Sequence, residues 1–318
     1  MRRAAQPTSE EQHSIPGDDA ALLSAGRILQ AHGYAFTTIT PASHARVLAR
    51  HGRAEARSLR DVFGWTLPFR RELIGNDLFE LLRASGWLQQ DDAFWRSTVR
   101  FSSIGKLLVV HSAYPTTGEH AVFFGPDTYR FCALLEETVR SAETVVDVGC
   151  GSGAGGLILA GRAQRVILSD PNPLAVRFSR VNAALAGIEN TEVSTGSFLE
   201  ALTGPADVII ANPPYLLDPA GRQYRHGGHP LGTGIAERIA RDALDVLRPG
   251  GLLVLYTGSP VVDGVDPFRR LLEGLFEEFC STASIRELDP DVFGEELDSP
   301  AYADVERIAL LSIVARRR

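Results

Sequence analysis

The chain has 318 residues and 34.5 kDa, room for one large or two modest domains. With 44% hydrophobic and 22% charged residues its composition is that of an ordinary globular protein, and a net charge of -7 argues against broad, sequence-blind binding to nucleic acid, though a local basic patch remains compatible with it. The three cysteines, Cys132, Cys150 and Cys280, make no CxxC and no Cys/His cluster of zinc spacing, so neither a metal site nor a disulfide framework is expected.

The N-terminus, "MRRAAQPTSEEQHSIPGDD", lacks the apolar core of a signal peptide, and no run approaches the roughly 18 apolar residues of a membrane span. The expectation is a soluble, cytoplasmic protein with no membrane partner, whose residues 1–16 form a floppy tail. "DDAALLSAGRILQAHGY" then opens on aspartates suited to an N-cap and first turn and keeps helical spacing to Gly33. "PASHARVLARHG" reads as a second helix, with Pro at its start and Gly at its end, and "NDLFELLRASG" as a third. "WLQQDDAFWRSTVRFSSIGKLLVVHS" follows, two β-rich runs punctuated by Asp-Asp and Ser-Ile-Gly. Helices followed by a short hairpin resemble a winged-helix arrangement, and otherwise a helical cap. Residues 17–120 are expected to form this smaller, substrate-recognising domain.

Beyond about residue 121 the rhythm changes to that of a catalytic domain, expected over 121–318. "TVVDVGC", "RVILSD", "TEVSTGSF", "DVIIANPPY" and "GLLVLYTG" are short apolar strands. "LAVRFSRVNAALAG" and "GIAERIARDALDVLRPGG" are helices between them. Such alternation specifies an α/β fold with a parallel sheet covered on both faces, whose ligands sit beyond the carboxyl ends of the strands.

"VVDVGCGSGAGG" is a strand, a glycine turn and a helix start. Gly151-x-Gly153-x-x-Gly156 formally matches the dinucleotide fingerprint, so the turn by itself leaves a nicotinamide cofactor and an NAD-dependent oxidoreductase open. Asp147 precedes the glycines, where it would repel a pyrophosphate and suit a cofactor bearing positive charge. Asp170, 23 positions later at the end of the second strand, can accept both ribose hydroxyls.

"DVGCGSGAGG", "SDPNPLAVRFSRVNAALAG" and "NPPY", in that order, resemble the class I S-adenosylmethionine-dependent methyltransferases, in particular the small-domain branch. That branch holds HemK-type protein glutamine methyltransferases and the RNA guanine and adenine N-methyltransferases. The resemblance covers about Phe123 to Val314. It implies a seven-stranded Rossmann-like sheet with one antiparallel pair at its end, and S-adenosyl-L-methionine as cofactor. It further implies cofactor contacts from Asp147, Gly149, Cys150, Gly151, Gly153, Asp170, Pro171, Asn172, Ser197, Phe198 and Asn212. Ser197 stands where the family usually has the aspartate of a Gly-Asp pair, and its hydroxyl is a weaker acceptor for the adenine amino group than a carboxylate.

Methyl transfer to nitrogen is a positioning problem. Asn212 and the carbonyl of Pro213 would grip two N–H bonds of an amide or exocyclic amine, turning its lone pair toward the methyl group and stabilising developing positive charge. Pro213 and Pro214 fix φ, and Tyr215 offers a flat face for a planar group. Phe123, Phe124 and Asp127 of "FFGPDTYRFCALLEE" are expected lid or substrate residues, with Asp127 or Thr128 a helix cap as the other reading. "DPAGRQYRHGGHPLGTG" reads as a substrate loop, with Arg222, Tyr224, Arg225 and His229 as contacts, and His226 and His229 make no metal site. The expected acceptor is a protein glutamine, as of a release factor, followed by an RNA or DNA base (adenine N6 or guanine N2) or a small molecule. A binding module without turnover is the remaining class. Arg46, Arg50, Arg53, Arg57 and Arg60 recur at helical spacing, as a basic stripe for RNA or, preferably, a solvated face.

Overall fold

The computed structural model describes residues 17–50, 55–197, 199, 202, 204–218, 221–222, 224–228 and 231–318. The expected tail, Arg53, Phe198 and His229, together with the Arg50 side chain, lie outside the described residues.

The N-terminal part runs through α1 (Gly17–Ala31), α2 (Pro41–Arg50), α3 (Leu59–Phe63) and α4 (Asn76–Ala84). Two antiparallel hairpins follow, β1 (Leu88–Asp91) with β2 (Phe94–Ser97), and β3 (Val99–Ile104) with β4 (Leu107–Ser112). The chain reverses at Asp92 and Gly105, both at positive φ, so the Asp-Asp and Ser-Ile-Gly punctuation marks hairpin turns and the stretch holds four strands where two runs are expected. Arg46, Arg57 and Arg60 are exposed, and the Arg60 guanidinium lies over the rings of Phe36 and Trp65.

The second half contributes α5 (Pro126–Thr138), β5 (Ala142–Val148), α6 (Ala154–Leu159), β6 (Ala163–Asp170), α7 (Pro173–Ala186), β7 (Thr191–Thr195) and β8 (Ala206–Ala211). It ends with α8 (Gly234–Val246), β9 (Leu247–Val261), α9 (Pro267–Phe279), β10 (Cys280–Asp289) and β11 (Arg307–Arg317). The helix expected over 234–251 stops at Val246, because Pro249 lacks an N–H and bars its predecessor from the helical region. The seven strands lie in the order β10-β11-β9-β8-β5-β6-β7; β11 runs antiparallel to both neighbours and the other pairs are parallel. This is the α/β, Rossmann-like sheet expected. Phe131, Leu157 and Leu168 fill one face, and Ile239, Phe268 and Phe276 the other.

The two halves share a core. Leu22, Phe63 and Phe101 pack with Phe178, Val181 and Leu185 of α7. Asn182 receives the Val110 N–H at 2.7 Å and donates to Val110 and Ser152 carbonyls, and Arg177 pairs with buried Asp19. No helix among the described residues is long and apolar enough to cross a membrane.

Candidate active site

Chain order reverses between β5 and β8, and a cleft of about 340 Å³ opens beyond their carboxyl ends. The first wall is built by short-range hydrogen bonds. Gly149 and Cys150 N–H groups donate to the Ser169 carbonyl at 2.9 and 3.1 Å, knitting the β5 tip to β6. Gly151 and Gly153 hold φ of 56° and 80°, which side-chain-bearing residues rarely adopt, and so turn the chain into α6. Gly156 serves packing instead: a Cβ there would sit 2.3 Å from Leu168 of β6.

Asp170 closes that turn. Its Oδ2 accepts the Gly151 N–H and its Oδ1 the Asn172 N–H, both at 2.8 Å. A carboxylate has about four lone-pair sites, so two remain for hydroxyl donors. Asn172 accepts the Leu174 N–H as the cap of α7 and donates to the His120 carbonyl. Asp147 is buried and accepts the Gly156 N–H at 2.7 Å. Burial above all pushes its carboxyl up to about 7, with Asp170 adding to the rise and the Gly156 N–H opposing it. Asp147 therefore titrates near neutrality, and a positive charge placed beside it would favour the ionised form expected. Burial also raises Asp170, against its two backbone donors. Cys150 is buried with its thiol pushed well up by burial, and Pro171 and Ser197 complete this wall.

The second wall is the rim after β8. Asn212, Pro213, Pro214 and Tyr215 all line the cleft. Asn212 is half-buried, and its side-chain amide has no hydrogen-bond partner among the described residues. Tyr215 differs from the expected stacking platform. Its ring packs so closely on Gly258 of β9 that a Cβ there would meet it at 2.3 Å, and Phe293 packs at its edge with centroids 5.9 Å apart. Its hydroxyl donates to Asp127 Oδ2 at 2.9 Å, and the Tyr256 hydroxyl donates to Oδ1 at 3.0 Å. Asp127 thus ties the first turn of α5 to the rim and β9. The cap of α5 is supplied next door, by Thr128 Oγ1 accepting the Gly125 N–H.

The chemistry of the cleft is decided by its charges. Two carboxyl groups, Asp147 and Asp170, face the glycine turn. The one cation among the described lining residues, Arg225, is paired with Glu296 and lies 3.7 Å from Asp218. A pyrophosphate would find these two acids, Asp127 on the opposite wall and no free cation among the described residues, whereas the same charges suit a group bearing positive charge. The family model for the methyltransferase small domain matches residues 121–284, more than half of the chain. The chain belongs to the methyltransferase small domain family. That family is the one the sequence resembles, and the match favours it over the nicotinamide reading of the glycine turn. Release factor glutamine methyltransferase of Deinococcus radiodurans is 33% identical over 57% of this chain and 66% of its own. Ribosomal protein L11 methyltransferase of Caldanaerobacter subterraneus is 33% identical over 37% of this chain and 43% of its own. Ribosomal RNA small subunit methyltransferase C of Sodalis glossinidius is 34% identical over 42% of this chain and 34% of its own. The chain covers less than two thirds of the length of these relatives.

The remaining expected residues of this methyltransferase divide. Phe123 lines the cleft and stacks on Tyr224 with planes 9° apart, but Phe124 does not reach it. Successive residues of an extended segment face opposite ways, and Phe124 is buried against His111 and Tyr129. Arg222 is likewise turned from the cleft. Its Nε and Nη2 grip Asp218 at 2.8 and 2.5 Å, and these bonds hold the Asp218 carboxyl down at about 2. Arg225 lines the cleft but arrives already neutralised. His226 Nδ1 accepts the Asp218 N–H, and no cluster of metal-ligating groups occurs among the described residues. Phe293 was not legible in the sequence: it sits at φ 57° in the β10–β11 connection, and only its neighbour Gly294 hinted at a turn. That connection is fastened over the rim by Glu296 on Arg225 and by Tyr302, whose hydroxyl accepts the Leu217 N–H at 2.7 Å.

Proposed function

We propose that this methyltransferase is of the HemK-type, N-methylating branch and transfers a methyl group to a planar amide nitrogen, with a protein glutamine as acceptor. The observation that carries the reading is the Asn212 amide at the cleft rim, without a hydrogen-bond partner among the described residues, beside prolines that fix the Pro213 carbonyl. Asp147, Gly149, Cys150, Gly151, Gly153, Asp170, Pro171, Asn172 and Ser197 would hold S-adenosylmethionine, which when bound supplies an electrophilic methyl on a sulfonium. The chain's own part is to grip and orient. Asn212 Oδ1 and the Pro213 carbonyl accept the two N–H groups of the acceptor, disfavouring its conjugation and stabilising charge that develops on nitrogen. Tyr215, fixed by Asp127, walls the site rather than stacking on the substrate. No general base is required before transfer, because the acceptor nitrogen sheds its proton only after becoming cationic.

A protein acceptor is supported by the matched release factor and L11 methyltransferases. It is supported too by the rim, where Arg222 and Arg225 are neutralised and offer nothing to a phosphodiester. Residues 17–120 would serve as the acceptor-recognising part and 121–318 as the catalytic one. The test is labelled-methyl transfer from S-adenosylmethionine into a cell extract, followed by separate nuclease and protease digestion. Label that survives nuclease and is released by protease supports the reading. Label lost to nuclease would establish a nucleobase acceptor instead.

A further inference from the structure

Away from the cleft, five of the nine buried side-chain polar atoms that lack a hydrogen-bond partner among the described residues fall on four residues, three of them linked through ring contacts and the fourth adjacent to Trp65 in the chain. They are Arg100 Nε and Nη2, Trp65 Nε1, Thr66 Oγ1 and His44 Nδ1. The neighbourhood is tight. His44 lies 5.1 Å from Trp65 between ring centroids, and Trp65 lies 5.3 Å from Phe36, over which the Arg100 guanidinium sits at 5.2 Å. Arg100 is 4% exposed and His44 fully buried. No described Asp or Glu forms an ion pair with Arg100.

Burying an unpaired guanidinium is among the most unfavourable things a fold can do. The Phe36 ring beneath Arg100 offsets only part of this cost, and no charged partner offsets the rest. Burial and the Arg100 charge lower His44 to about 4, and they lower His111 as well, so both imidazoles are neutral. The phenols of Tyr34 and Tyr129 are raised by burial and are not phenolates. The orphaned atoms have a directional pattern. Arg100 Nε–H and Nη2–H form the side-on edge of the guanidinium, the fork that receives two oxygens of one oxyanion. The indole N–H is a donor only, and the Thr66 hydroxyl can donate. His44 Nε2 faces the Trp65 carbonyl at 3.1 Å and so carries the proton, which leaves Nδ1 a bare acceptor.

We propose that Arg100, Trp65, Thr66 and His44 form a binding site for one small oxyanion, a carboxylate or a phosphate, distinct from the methyl-transfer cleft. The guanidinium fork takes two oxygens, the indole and hydroxyl supply further donors, and His44 Nδ1 accepts an O–H where the ligand carries one, as a singly protonated phosphate does. Because every donor is buried, the occupant is a free small molecule and not the phosphodiester of a bound nucleic acid. The site lies behind the segment that borders the cleft: the Tyr114 ring is 4.3 Å from His44, and two residues later the Thr116 carbonyl receives the Tyr224 hydroxyl.

The full chain is tested as purified by native mass spectrometry, and by ¹⁵N–¹H spectra of the indole groups during titration with inorganic phosphate and, separately, acetate. Trp65→Phe identifies the Trp65 signal. Either a retained anion mass or a saturable shift of the Trp65 indole is expected, and the effective ligand separates phosphate from carboxylate. Arg100→Lys, which keeps charge but loses the fork, should weaken the affinity at least ~10-fold. Should that variant fail to fold, Trp65→Phe, followed by calorimetry, should still weaken it several-fold. No retained mass together with no saturable shift overturns the proposal. So does binding unchanged in both variants.

Discussion

The two walls of the cleft are made in different ways. The glycine-turn wall is held by backbone N–H groups over separations of 20 residues or fewer: Gly149 to the Ser169 carbonyl, Gly151 to the Asp170 carboxylate, Gly156 to the Asp147 carboxylate. The acceptor wall is held by side chains reaching across the chain. Tyr215 and Tyr256 meet Asp127 over sequence separations of 88 and 129, and Leu217 meets Tyr302 over 85. A wall coded locally suits a cofactor of fixed shape, whereas one assembled from distant loops can be altered to suit a substrate.

That contrast can be broken by substitution. The largest effect is expected at the acceptor wall: Asn212→Ala should lower transfer ~10²–10³-fold while the affinity for S-adenosylmethionine stays within a few-fold. Parallel loss of both would make Asn212 structural. At the opposite wall Asp170→Ala should weaken the affinity ~10–100-fold, seen by calorimetry, with turnover at saturation far less affected. Gly258→Ala, which drives a methyl into the Tyr215 ring, should cut transfer ~10-fold and leave cofactor affinity unchanged.

A pH test sharpens the comparison further. Asp147 titrates near 7 in the folded chain against about 3.9 unfolded, so between those values the folded state holds a proton the unfolded state lacks. Its contribution to stability is full below about 4 and lost as pH rises through about 7. Melting temperatures of the ligand-free chain should show this decline, and Asp147→Asn should flatten it. The smallest effect is expected from Tyr224→Phe, which removes the bond to the Thr116 carbonyl: a rise in acceptor KM of about 2–5-fold and no change in cofactor affinity.

Legibility in the sequence follows the same division. The glycine turn, Asp170 and the Asn-Pro-Pro-Tyr rim are contiguous patterns, so they could be placed on strand ends before any contact was known. The helices read from caps and periodicity were found, apart from the overrun past Val246 that Pro249 forbids. Which of Phe123 and Phe124 faces the cleft depends on a one-residue parity that composition does not encode. The pairing of Arg222 and Arg225 with Asp218 and Glu296, and the arrival of Phe293, depend on the β10–β11 connection folding back over the rim. Asp147 was read as ionised because its burial, which decides its titration, is a property of the finished sheet.

The charge pattern of the cleft carries the account, and calorimetric titration of the intact chain with S-adenosylmethionine and with NADH tests it most directly. Saturable binding of S-adenosylmethionine, lost in Asp170→Ala, with no heat from NADH, is the expected result. Binding of NADH in competition with S-adenosylmethionine would show that two acids and a neutralised arginine do not exclude a pyrophosphate, and would contradict it.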